Sequence, residues 1–64
     1  MTNTKPKLKL IGEDGNAFSI LGRAMRVMRA AGWEDAKIGS VVDEATAGDY
    51  DHLLATMDKY FDVT

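Results

Sequence analysis

Between Asn16 and Gly32 the apolar residues gather on one side of a helix and the arginines on another. Ile20, Leu21, Ala24, Met25, Val27, Met28 and Ala31 run opposite Arg23, Arg26 and Arg29, the only arginines of the chain. At about 100° per residue the arginines cover roughly one third of the circumference, so they form one stripe. Asn16 is a good N-cap and Gly32 a natural residue just past the C-terminus. A helix with such a face must bury it against other elements, and this requirement governs what the remaining residues can do.

Those residues supply two further helical faces. After Trp33-Glu34-Asp35, the positions Ile38, Val41, Val42 and Ala45 fall at i, i+3, i+4 and i+7, which predicts a second helix ending at Gly48. Gly39 and the Val41-Val42 pair lower its intrinsic propensity, so it depends on packing. Asp49 then caps a third helix whose apolar face is Tyr50, Leu53, Leu54, Met57 and Phe61, with Asp51 favourably placed against the helix dipole. Upstream, Lys7-Leu8-Lys9-Leu10-Ile11 alternates polar and apolar residues, the pattern of a short strand. It can pair with Asp62-Val63-Thr64. Glu13-Asp14-Gly15-Asn16 is a turn. The expected fold is a mainly α, three-helix domain over residues 7–64 with a short N-terminal strand, preceded by a flexible tail over residues 1–6. Its expected core is Phe18, Leu21, Met25, Met28, Ile38, Val41, Val42, Leu53, Leu54, Met57 and Phe61.

Sixty-four residues make one small domain, and domains of this size bury only about 60% of the surface their unfolded chain exposes. Oligomerisation is one common remedy, and a homo-oligomer is expected here. The absence of cysteine removes disulfides and thiolate metal sites and fits a reducing compartment. No apolar run approaches the roughly 20 residues that span a bilayer. The N-terminal lysines are not followed by an apolar stretch of signal-peptide length. A cytoplasmic protein without membrane contact is the expectation.

Catalytic chemistry finds little to work with. Nucleophilic catalysis needs a nucleophile, a positioned base and a group that orients the base. There is no Cys and a single His, His52, with Thr56 one helical turn away. No catalytic residue, metal or cofactor is expected. Asp49, Asp51 and His52 carry metal-ligating groups, but residues 51 and 52 diverge by about 100° on a helix, so capping roles with an exposed His52 fit better. Glu13-Asp14-Gly15-Asn16 lacks the alternating ligands of a calcium loop. Gly12 and Gly15 precede a helix as in a phosphate cradle, but Glu13 and Asp14 occupy the place an anion would take.

Three segments have a further likeness: Gly15-Asn16-Ala17-Phe18; Arg23-Ala24-Met25-Arg26 with Arg29-Ala30-Ala31-Gly32; and Glu44-Ala45-Thr46-Ala47-Gly48-Asp49-Tyr50-Asp51-His52-Leu53-Leu54. With the ending Tyr60-Phe61-Asp62-Val63, the chain resembles a group of very short bacterial, prophage and phage proteins. Gly-Asp-Tyr-Asp-His-Leu-Leu is the most specific part. Ala47 stands where such sequences often have Ser, and the Trp33–Lys37 segment lacks their usual Pro and Glu. The group has no established activity, so the resemblance implies a mobile-element setting and assigns no residue a role.

The arginine stripe is the one concentrated chemical feature. Residues 1–29 hold six basic and two acidic side chains, a net of +4, and residues 30–64 hold two basic and eight acidic ones, a net of −6. Arg23, Arg26 and Arg29 suit phosphate or carboxylate, and an oligomeric binder of nucleotide or nucleic acid is one reading. A sequence pI near 5.1 and the lack of aromatics among the arginines weigh against it. Pairing of the stripe with Asp43, Glu44, Asp58 or Asp62, within the fold or between subunits, weighs more. Trp33 either roofs the core or anchors a partner, with roofing slightly favoured. The reading taken forward is a non-enzymatic interaction protein of phage or prophage type. It would bind a host protein or itself through Arg23, Arg26, Arg29 and Trp33, with inhibition in phage–host conflict as one role.

Overall fold

A computed structural model describes residues 5–64. The order of elements is β1 (Lys7–Leu8), α1 (Ala17–Ala30), α2 (Asp35–Ala45), α3 (Tyr50–Tyr60) and β2 (Asp62–Val63). The two strands pair in parallel, Lys7 with Asp62 and Leu8 with Val63, so the three helices form one long crossover between them. The expected three-helix architecture with a paired terminal strand is the one observed. Most of the tail expected over residues 1–6 lies outside the described residues. Its last two residues are engaged: the Pro6 carbonyl accepts from the Asp62 amide (2.8 Å) and Lys5 Nζ donates to the Asp58 carbonyl (3.1 Å).

The strand is shorter than the Lys7–Ile11 alternation predicts. Leu8 is buried and Leu10 half-buried, but the amides of Leu10 and Ile11 both donate to the Thr64 carbonyl, at 2.8 and 3.0 Å. Two donors on one acceptor end the ladder, and Ile11 is left 74% exposed.

Capping explains where α1 and α3 begin. Asn16 accepts from the Phe18 amide (2.8 Å), and Asp49 from the His52 amide (3.0 Å), each satisfying a donor that has no partner within its helix. Past α1, Gly32 takes a φ of +82°, which glycine adopts without steric cost. In contrast, α2 begins at Glu34 with no side-chain cap. It stops at Ala45, three residues before the expected Gly48. There the Thr46 hydroxyl turns back onto the Val42 carbonyl (2.8 Å), which also accepts from the Thr46 amide (3.0 Å). Phe61 likewise lies beyond α3, in extended backbone, and is nevertheless buried.

The core is Leu8, Ile20, Ala24, Met28, Ile38, Val41, Ala45, Leu53, Met57 and Phe61. Four of the expected core residues depart from that list by degree: Leu21, Met25 and Val42 are half-buried, and Leu54 is exposed. The fifth departs altogether. Phe18 is 85% exposed. Geometry accounts for this, because α1 buries the row Ile20, Ala24 and Met28, and Phe18, two residues before Ile20, lies about 160° away from that row's first member. One helix cannot bury both. On α3, Thr56 joins the core instead of Leu54; its hydroxyl donates to the His52 carbonyl (2.8 Å), so burial leaves it satisfied.

Candidate interaction site

The arginines do not act together. Arg23, half-buried, donates to Glu13 Oε1 (3.0 Å) and to the Asp14 carbonyl (3.4 Å), pinning the turn that precedes α1. Asp14 is itself held below the usual aspartate range, first by the Asn16 amide and then by the Ser19 hydroxyl. Arg26 and Arg29 are exposed and make no ion pair among the described residues. The pairing expected with Asp43, Glu44, Asp58 or Asp62 is therefore not formed within the chain. Arg26 and Arg29 stand on the arc of α1 turned away from Ile20, Ala24 and Met28, out of reach of the acidic helices packed on the other side.

Phe18 stands beside a groove of about 270 Å³ between the first turns of α1 and α3 and the end of α2. Leu21, Ala45, Tyr50 and Leu53 supply its apolar lining. Its walls are braced. The Tyr50 hydroxyl donates to the Gly15 carbonyl (2.5 Å), joining the two helix starts across 35 residues of sequence. His52, expected to be exposed, is half-buried, and its Nε2 lies 2.7 Å from the Glu44 carbonyl. A carbonyl only accepts, so Nε2 carries the proton. Gly48 makes this possible: a Cβ there would stand 2.9 Å from both Cβ and Cγ of His52. The segments Gly15–Phe18 and Ala45–Leu53, set apart in the sequence, thus meet at one groove.

This chain has no match among family models, curated proteins or solved structures.

Trp33 is elsewhere, past the C-terminal end of α1. Its ring is stacked on Phe61 (centroids 6.0 Å, 11° between planes) and meets Tyr60 edge-on (6.5 Å, 70°), so it does roof the core. Since α1 has 14 residues, Trp33 and Phe18 mark opposite ends of a helix about 20 Å long. Of the four residues singled out in the sequence, Arg26 and Arg29 share an open face, Arg23 serves the turn, and Trp33 belongs to another surface. Phe18 was the residue missed. The signal for it existed, in the conflict of helical phase between Phe18 and the Ile20 row.

Side chains that can hold a metal do not cluster: among the described residues no three His, Cys, Asp or Glu groups converge. Asp49 is occupied as a cap and His52 by the Glu44 carbonyl.

Proposed function

We propose that this chain is a non-enzymatic interaction protein that binds a protein partner along the outward face of α1. The observation that carries this reading is Phe18, 85% exposed at the rim of an apolar groove. Burying a Phe side chain is worth about 1.5–3 kcal/mol, a gain its own fold leaves unused. From Phe18 the face continues through Leu21 and Met25, both half-buried, to Arg29, at i, i+3, i+7 and i+11. Arg26 lies beside it. The partner that complements this face is a segment with one apolar side chain for the groove and carboxylates about 12–17 Å further along, opposite Arg26 and Arg29. Arginines without an internal partner favour an acidic segment over a neutral one.

The resemblance to short prophage and phage proteins suggests a host macromolecule as the target and inhibition or sequestration as the role. The non-enzymatic reading is supported by His52, whose Nε2 is held by a backbone carbonyl instead of facing a nucleophile.

Capture from host lysate by the wild-type chain, Phe18→Ser and the double variant Arg26→Glu/Arg29→Glu tests the proposal. A protein retained by the wild type and lost by both variants, at unchanged melting temperature, supports it. Equal retention by all three overturns it. Light scattering across a hundredfold concentration range provides the second arm. A mass that doubles in the wild type but not in Phe18→Ser would put a second copy of the chain in the groove and overturn the acidic-partner reading.

A further inference from the structure

The outward face of α1 has the spacing of a helix–helix seam. Phe18, Gly22, Met25 and Arg29 follow one another at intervals of four, three and four residues, the pattern by which one helix meets another along its length. At about 100° per residue the four lie within roughly 60° of arc, turned about 130° from the middle of the buried row Ile20, Ala24 and Met28. Arg26 borders the seam on one side and Leu21 on the other.

Gly22 leaves a gap in it. Among the described residues, a Cβ at Gly22 would meet no side chain and no other element within 4 Å. Packing inside the fold therefore does not call for glycine here, although glycine in a helix interior costs stability relative to alanine. Its bare backbone lies one turn from Phe18 and one turn from Arg26, open to close approach from outside.

Backbone chemistry limits what can close such a seam. The middle residues of α1 already bond their amides and carbonyls within the helix. An extended segment laid there would find no strand edge, and its own backbone groups would lose water against Phe18 and Met25 without replacement. A helix satisfies its backbone internally and presents side chains at the matching interval. Charge narrows the choice further. Arg26 and Arg29 make no ion pair among the described residues. Because α1 itself contains no carboxylate, a second α1 on this face would leave both without a counter-charge.

We infer that the partner segment is an acidic amphipathic helix of about three turns packed along α1, the length from Phe18 to Arg29. One apolar side chain enters the Phe18 groove, another lies over Gly22, and carboxylates stand beside Arg26 and Arg29. This rests on the reading of the α1 face as a protein-binding surface and adds the form of the occupant.

The probes are three fluorescent peptides of about 15 residues, with apolar residues at alternating three- and four-residue spacing and glutamates beside them. One is linear, one is locked helical by a hydrocarbon staple, and one is broken by a central proline. Anisotropy titration with the full chain at low salt should find the stapled form at least about threefold tighter than the linear one. The proline form should be at least about tenfold weaker than the linear one. Gly22→Gln, with an unchanged or higher melting temperature, should weaken the stapled form by about fivefold or more. Three peptides binding alike, or Gly22→Gln binding the stapled form as well as the wild type, would overturn the helical occupant. If those peptides are nevertheless lost by Phe18→Ser and by Arg26→Glu/Arg29→Glu, the acidic-partner reading stands without it. Binding indifferent to Phe18 and to both arginines would sink that reading too. No binding of any form up to about 1 mM overturns the helix, and the capture experiment then decides the reading alone.

Discussion

Phe18 and Met28 are both large apolar residues of α1, and their substitution should have opposite consequences. Phe18→Ser removes a ring that faces solvent, so chemical denaturation should find stability within about 0.5 kcal/mol of the wild type. Met28 is fully buried among the core residues, and Met28→Ala should cost about 2–5 kcal/mol. Glu44 carries a different kind of residue-level consequence. It accepts from Lys59 Nζ at 2.7 Å and from the Tyr60 hydroxyl at 2.6 Å, and these bonds, Lys59's first, hold its carboxyl below the ordinary glutamate range. Asp14 is lowered likewise. Groups with depressed values stabilise the fold above their unfolded pKa, about 4, and that contribution disappears as pH falls through the lower folded values. Lys59 and Tyr60 are both raised, chiefly by Glu44. Their contribution is complete below their unfolded values, about 10, and disappears as pH rises through the folded ones. A melting-temperature profile should therefore have a plateau between roughly pH 5 and pH 9, and Glu44→Gln should flatten both flanks.

The individual helices differ in how openly the sequence declares them. In α1 and α3 the caps Asn16 and Asp49 were legible because one side chain and one nearby amide suffice to define them. The end of α2 was not, since Gly48 resembles a terminator but serves instead to admit the His52 ring, whose Nε2 reaches back to the Glu44 carbonyl of α2. The phase of α1 was partly legible: Arg26 and Arg29 are exposed away from the Ile20 row while Arg23 is half-buried, yet a face wide enough to include both Phe18 and Ile20 exceeds what one helix can bury. Gly22 lies on that outward side in the middle of α1, and a Cβ there would meet nothing within 4 Å. Gly22→Ala should therefore stabilise the isolated chain by up to about 1 kcal/mol, read as a rise in denaturation midpoint. If a partner packs along this face, the same methyl should also weaken its binding.

At the scale of the whole molecule, two surfaces of different chemistry stand at opposite ends of α1, and neither could be read as a surface from the sequence. Each is assembled from residues far apart in the chain: Phe18 with Tyr50, Lys5 with Trp33 and Lys59. The charge imbalance between the halves was visible, but its expected resolution was not found. Among the described residues the ion pairs are Lys9–Glu13, Arg23–Glu13 and Lys59–Glu44, each formed within one half, because short-range geometry decides which groups meet. Besides the Tyr50–Gly15 and Lys5–Asp58 bonds, what joins the halves is backbone. Asp62 donates to Pro6, Thr64 donates to Leu8, and the Thr64 carbonyl receives the amides of Leu10 and Ile11. Removing Asp62–Thr64 deletes all four bonds and uncovers buried Leu8. At about 1 kcal/mol per net hydrogen bond this loss approaches the stability of a domain this small, and circular dichroism should show a partly unfolded chain at 37 °C.

The same strand pairing has an architectural consequence. A unit whose first and last strands run parallel in direct register starts and finishes at opposite ends of a two-residue ladder, only a few ångströms apart. A unit of that shape is suited to insertion into a surface loop of another protein without prising the host open.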